Sequence, residues 1–274
     1  MTESSFAVVT GASSGIGLEL ALLLAADGYD LVLCAEDDGL EAAAARCRAG
    51  GVEVQAFRTD LRRPDGVQSL YEAVLASGRP LDVAVLNAGV GRGGAFVDTD
   101  LADLLEVVDL NVTSTMHLFR LVLADMVARD SGRVLVTSSI ASTMPGSYQA
   151  VYNASKSFVQ SLVEAVQNEL KDSGVTITSL MPGPVETNFF HRADMDDTTM
   201  GQAKKDEPDD VAQQGYAALM AGRDRVVAAS LLTKAQELGA KVLPDKVKAE
   251  MHRHLAQHKD DPASTGTTAE KRSE

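Results

Sequence analysis

The strongest constraint on the fold is an alternation. Short runs that are apolar throughout are separated by stretches whose apolar residues recur every three or four positions. Residues 6–10, 31–34, 52–57, 83–86, 134–136 and 175–180 read as strands, and residues 16–27, 40–48, 65–77, 101–129 and 148–171 as helices. A strand with no polar face must be covered on both sides, and strands joined through helices pair in parallel. The expectation is an α/β fold, a doubly wound parallel sheet of Rossmann-like type, in a single domain with a helical C-terminal extension. That domain is expected to span residues 1–257. Residues 258–274 are dominated by Asp, Ser, Thr, Gly and Glu and have the composition of a disordered tail.

Composition narrows the partners. The 274 residues carry a formal charge of −14, with no Lys/Arg run, which excludes the electrostatic footprint of a nucleic-acid binder and argues against docking on anionic lipid. No apolar stretch reaches the length of a membrane span, and the first residues, Met1 to Ser5, lack the basic and apolar regions of a signal peptide. Cys34 and Cys47 are the only cysteines and form no CxxC pair, so a reduced, cytoplasmic setting is expected. His252, His254 and His258 cluster without accompanying carboxylate or cysteine spacing, and no metal site is expected. The glycosylation-like triplets at Asn111 and Asn153 are read as coincidences.

After Pro182 the texture changes. Residues 188–208 are polar, with Phe189, Phe190, Met195 and Met200 scattered among charges, and read as a mobile loop or lid. The four apolar residues suit pocket lining and packing anchors equally. Helical signals resume at Asp209 with Pro208 near the first turn, residues 225–229 read as a last strand, and the remainder as helix broken at Pro244.

Between the first strand and first helix lies Thr10-Gly11-Ala12-Ser13-Ser14-Gly15-Ile16-Gly17. Glycines there permit a tight turn and close approach of backbone to ligand, and the following helix offers free N–H groups and a positive dipole end to an anion. By itself the pattern also fits a bare strand–helix turn, but its place at the first βα turn favours a dinucleotide pyrophosphate.

Tyr152 and Lys156 stand four apart and share a helix face. A neighbouring ammonium favours the phenolate, and bringing a tyrosine from about 10 to about 7 needs roughly 4 kcal/mol, which a desolvated cation and a positively charged nicotinamide could supply together. Ser139 ends the strand 134–138, at the carboxyl edge where ligands of such sheets bind. Taken alone, a Tyr and a Lys at this spacing are ordinary surface residues.

Taken together, these motifs resemble those of the short-chain dehydrogenase/reductase family. Thr10 to Gly17 resembles its TGxxxGxG cofactor loop, Asp60-Leu61 its adenine-facing pair, Asn87-Ala88-Gly89 its NAG element, and Asn111 its active-site Asn. Ser139, Tyr152 and Lys156 match its serine and YxxxK pair, and Pro182-Gly183-Pro184-Val185-Glu186-Thr187 its PGxVxT stretch. The likeness runs over residues 6–190. It implies an NAD(P)-dependent oxidoreductase that moves a hydride between nicotinamide and a carbonyl or secondary alcohol. Tyr152 would be the acid/base. Lys156 would lower the pKa of Tyr152 and hold the ribose. Ser139 would orient the substrate oxygen, and Asn111 would hold a water linking Lys156 to solvent. Cofactor contacts are expected from Gly11, Ser13, Ser14, Gly15, Ile16, Gly17, Glu36, Asp60, Leu61, Asn87, Ala88, Gly89, Tyr152, Lys156, Pro182, Gly183, Val185 and Thr187. The two long helices resemble those through which family members form homodimers and homotetramers.

Two further questions turn on single positions. Glu36 follows the second strand, where a carboxylate can accept from the ribose hydroxyls of NAD, whereas the 2′-phosphate of NADP would meet like charge. At about 5 Å and an effective dielectric near 20, each such pair costs roughly 3 kcal/mol before screening. NAD is therefore the expected cofactor, with Arg62 and Arg63 the residues that leave NADP open. A non-catalytic dinucleotide sensor is the competing reading, and the presence of Ser139, Tyr152 and Lys156 together disfavours it. A dehydratase or epimerase would need further acid/base groups that the sequence does not identify.

Overall fold

A computed structural model describes residues 4–228 and 244–257. Seven strands form one parallel sheet: β1 (Phe6–Thr10), β2 (Asp30–Ala35), β3 (Val54–Arg58), β4 (Val83–Leu86), β5 (Gly132–Thr137), β6 (Val175–Pro182) and β7 (Arg225–Ala228). Their spatial order is β3-β2-β1-β4-β5-β6-β7. The chain moves outward from β1 to β3, then crosses back to place β4 on the other side of β1. That reversal is the topological switch point at which ligands bind in doubly wound sheets.

The alternating side chains of these strands feed two cores. Val8, Val32, Ala84, Val134 and Val136 face one side and pack against α3 (Pro64–Leu75), α5 (Thr115–Ala128) and α6 (Ala150–Glu169) through Leu70, Phe119 and Val159. Val9, Leu33, Val85 and Leu135 face the other, against Leu20 and Leu24 of α1 (Gly15–Ala26), Leu40 of α2 (Gly39–Arg48) and Leu219 of the helix Pro208–Met220. This two-sided burial is why the strands carry no polar face.

The stretch expected as one long helix, 101–129, is continuous but not uniform. It runs as α4 (Leu101–Val108), a π-helical turn (Asp109–Ser114) and α5. By length and hydropathy this run could cross a membrane, contrary to the reading from sequence. Its residues Val107, Leu118, Phe119, Val122 and Met126 are instead buried in the core.

The segment 188–208 holds two short helices, α7 (Phe189–Arg192) and α8 (Thr199–Gln202), and is not a plain loop. Phe190, Ala193 and Met195 are buried in a small cluster of their own, with Phe189 and Met200 packed beside it. Helix α9 (Pro208–Met220) begins with Pro208 in its first turn, as expected. Helix α10 (Asp245–Ala256) follows the break at Pro244. The expected tail at 258–274, His258, and the continuation from residue 229 to 243 lie outside the described residues.

Candidate active site

A cleft of about 1350 Å³ opens along the carboxyl ends of the strands. The glycine loop forms one wall. A Cβ on Gly17 would stand 2.2 Å from the Gly11 carbonyl oxygen, so only glycine lets the helix start this close under the loop. Thr10 fixes the loop to β4: its hydroxyl oxygen receives the backbone N–H of Asn87 at 2.9 Å and of Ala88 at 3.1 Å. Across the cleft, a Cβ on Gly15 would meet Thr187 Cγ2 at 3.0 Å, so the segment after β6 arches back to the loop. Gly11, Ser13, Ser14, Gly15, Ile16, Leu61, Asn87, Ala88, Gly89, Pro182, Gly183, Val185 and Thr187 all line the cleft, while Gly17 and Asn111 stand behind its wall.

The end beyond β2 and β3 is acidic. Glu36, Asp37 and Asp60 line it. Ser13 donates to Asp37 Oδ2 at 2.7 Å, which ties that carboxylate to the glycine loop. Arg62 pairs with Glu36, with Asp60 at 2.8 Å and with Glu106 at 3.3 Å. Its hydrogen bond to Asp60 holds that carboxyl below the usual range. Arg62 thus sits among the carboxylates and is not a lining residue of the cleft.

Ser139, Tyr152 and Lys156 converge at the centre of the cleft. The Ser139 hydroxyl donates to the Pro182 carbonyl at 3.5 Å and receives the Ala141 N–H at 3.1 Å. Lys156 is 5% exposed, and its Nζ donates to the Thr137 carbonyl at 2.9 Å and lies 6.0 Å from the Tyr152 ring centroid. The sequence argument expected the ammonium to lower the tyrosine. In the ligand-free chain burial dominates both groups, pushing Tyr152 up to about 12 and Lys156 down to about 8. At neutral pH the site therefore rests with a protonated phenol beside an ammonium held by a backbone carbonyl.

Asn111 lies in the π-helical turn, against the helix that carries Tyr152 and Lys156. Its amide is 1% exposed, donates to the Val90 carbonyl at 2.8 Å and to Ser155 Oγ at 3.0 Å, and accepts from the Val90 N–H at 2.9 Å. It clamps the segment after Gly89 to the helix that carries Tyr152 and Lys156. A second lone pair on Oδ1 remains for a water.

Phe189, read from the sequence as pocket lining and packing anchor alike, lines the cleft and packs against Tyr152 with ring centroids 5.2 Å apart. Several other contributors were not identified from the sequence. Tyr148, at φ 63°, turns the chain in a left-handed conformation just ahead of α6. Gln149 lines the cleft beyond it, as do Lys248, Met251, His252 and Leu255 of α10. The spacing of those four along one helix face was the only signal available for them. The histidine cluster separates: His252 bonds the Ser147 carbonyl, and His254 pairs with Glu250 at 3.4 Å.

With this geometry in place, comparison with known proteins defines the class. Residues 5–198 match the family described as short chain dehydrogenase, and the chain belongs to that family of NAD(P)-dependent oxidoreductases. Among its relatives is a putative ketoacyl reductase of Streptomyces coelicolor, 36% identical over 68% of this chain and 72% of the relative. Among solved structures, a short-chain dehydrogenase of Sphingobium yanoikuyae in complex with NADPH superposes with a TM-score of 0.77 at 27% identity, covering 88% of this chain and 96% of that one. A Burkholderia phymatum short-chain dehydrogenase/reductase in complex with NAD gives 0.78 at 26% identity, over 86% and 92% of the two chains.

Proposed function

We propose that this enzyme interconverts a carbonyl and a secondary alcohol, with Tyr152 as the acid/base and NAD as the preferred cofactor. One observation carries the reading: Ser139, Tyr152 and the buried Lys156 share one cleft with the glycine loop. The cleft suits a dinucleotide because Gly11 and Gly17 let the loop pack tightly against Asn87 and Ala88, and α1 directs its N-terminus into the cleft beneath that loop. When bound, the nicotinamide supplies or takes the hydride.

The protein's own residues handle the proton. Ser139 holds the substrate oxygen against the phenol, and Tyr152 delivers its proton to that oxygen as negative charge develops. Lys156 stabilises the phenolate left behind, and Asn111 fixes the helix that carries both. The putative ketoacyl reductase among the relatives supports reduction as the working direction.

NAD is favoured because Glu36, Asp37 and Asp60 present three carboxylates along the adenosine end, with only Arg62 set among them. Residues 188–208 act as a lid through Phe189 on Tyr152. The exposed Phe96, Leu101, Leu105, Met116 and Phe158, beside an apolar groove of about 400 Å³, supply the face for a homodimer or homotetramer. A screen of ketones, aldehydes and secondary alcohols with each nicotinamide cofactor, followed by cofactor absorbance, tests the reading. Cofactor binding without turnover of any of them would favour the sensor instead.

A further inference from the structure

Helix α10 lies beyond residues 5–198, which carry the family match, yet it builds part of the cleft wall. Lys248, Met251, His252 and Leu255 fall on one face of the helix by their spacing of three, four and seven, and all four line the cleft. Met251 is 53% exposed and Leu255 43%, so this apolar pair opens into the cleft and is not spent on core packing. The helix is pinned to the active-site helix. Ser147, five residues before Tyr152, donates through Oγ to the Ala249 carbonyl at 2.9 Å, and Ala256 is buried in the cluster of Phe190 and Met195.

His252 is the polar centre of that face. It is 4% exposed, and its Nδ1 lies 2.8 Å from the Ser147 carbonyl oxygen. A carbonyl only accepts, so Nδ1 carries the hydrogen and Nε2 of the neutral ring is left as a bare acceptor. Burial lowers the pKa of the imidazole and keeps the ring in that neutral form. Among the described residues Nε2 has no hydrogen-bond partner, and it is not among the sealed, unsatisfied polar atoms. His252 itself lines the cleft, with Lys248 one turn away and paired with Asp245 at 3.2 Å.

We propose that His252 Nε2 is a specificity site, accepting a hydrogen bond from a hydroxyl or amide N–H of the carbonyl substrate while Met251 and Leu255 receive the apolar part of the same molecule. The inference rests on the carbonyl reading of the cleft. A substrate lacking the donor would displace water from Nε2 and leave it unpaired, so the site selects by chemistry as well as shape.

The test uses the full chain with cofactor bound and a panel of hydroxyketones of increasing chain length, each paired with its methyl ether. Nitrogen NMR of histidine-labelled protein should show Nδ1 protonated and Nε2 bare. The wild type should favour at least one hydroxyketone over its ether by roughly tenfold in kcat/KM, mostly through KM. His252→Phe should lower kcat/KM for the hydroxyketone roughly tenfold more than for its ether, whereas a purely structural role would slow both members alike. A protonated Nε2, equal use of every pair by the wild type, a preference surviving in His252→Phe, or an equal loss on both members would overturn the proposal. Failure of the oxidoreductase reading would look different: no member would be reduced with either cofactor. The pairs would then be read by binding, where a shift of the Nε2 resonance with a hydroxyketone and not its ether supports the site, and no shift with any of them overturns it.

Discussion

Lys156→Met should stabilise the cofactor-free protein at neutral pH while removing its activity. Lys156 is buried, and burial lowers its pKa from the ordinary 10.5 to about 8. At about 1.4 kcal/mol per tenfold change in proton affinity, keeping the ammonium in the fold costs about 3 kcal/mol. Methionine has a similar length and no charge, but it cannot donate to the Thr137 carbonyl that Lys156 holds at 2.9 Å, a loss of about 1 kcal/mol. The net expectation is a gain of about 2 kcal/mol at pH 7. The sign follows from linkage. Because the folded pKa is the lower one, the unfolded chain binds more protons between about 8 and 10.5, and wild-type stability rises with pH across that window. The advantage of the variant should therefore shrink through the window and be gone near its upper end. Urea denaturation at pH 7 and about pH 10 measures both points. A variant less stable than wild type at pH 7, or a difference that ignores pH, would refute the burial cost assigned to this lysine.

Three other outcomes follow from the site. Glu36→Arg removes one carboxylate and one of the three partners of Arg62, so preference should move towards NADP by roughly tenfold to a hundredfold, after discounting for solvent screening, as read from the dissociation constants of both oxidised cofactors. Hydrogen exchange in residues 188–208 should slow when cofactor and a carbonyl ligand are both present, because Phe189 packs on Tyr152; unchanged protection would count against a lid. Light scattering at micromolar concentration should give a dimer or tetramer, and Phe158→Glu, a charge placed on the exposed face, should lower the mass; a monomeric wild type would rule the assembly out.

The parallel sheet was legible because its signal is local: a strand buried on both faces cannot hide its composition. Val83–Leu86 carries no polar residue, and the structure places all four positions in the interior. The clustering of Ser139, Tyr152 and Lys156 in the cleft was legible because fixed spacing on a helix brings Tyr152 and Lys156 to one face, and a strand end delivers Ser139. What stayed hidden depends on contacts between distant segments. The pairing of Arg62 with Glu36 spans 26 residues, and that of His252 with Ser147 spans 105. Neither has a local pattern. The balance of forces on Tyr152 was also misjudged for the ligand-free chain. Spacing reveals that a lysine is near, but the cost of desolvation depends on how much protein surrounds the pair. The π-helical turn at Asn111 was a further gap, since its apolar periodicity does not differ visibly from that of a straight helix.

The central claim is that Tyr152 provides the transferable proton. The most direct test compares wild type with Tyr152→Phe on whichever carbonyl the wild type reduces best, following cofactor absorbance and measuring cofactor affinity in parallel. The account predicts an unchanged fold, near-normal cofactor binding and a loss of turnover of about a hundredfold or more, since general acid catalysis contributes on that order. Near-normal turnover in the phenylalanine variant would contradict it.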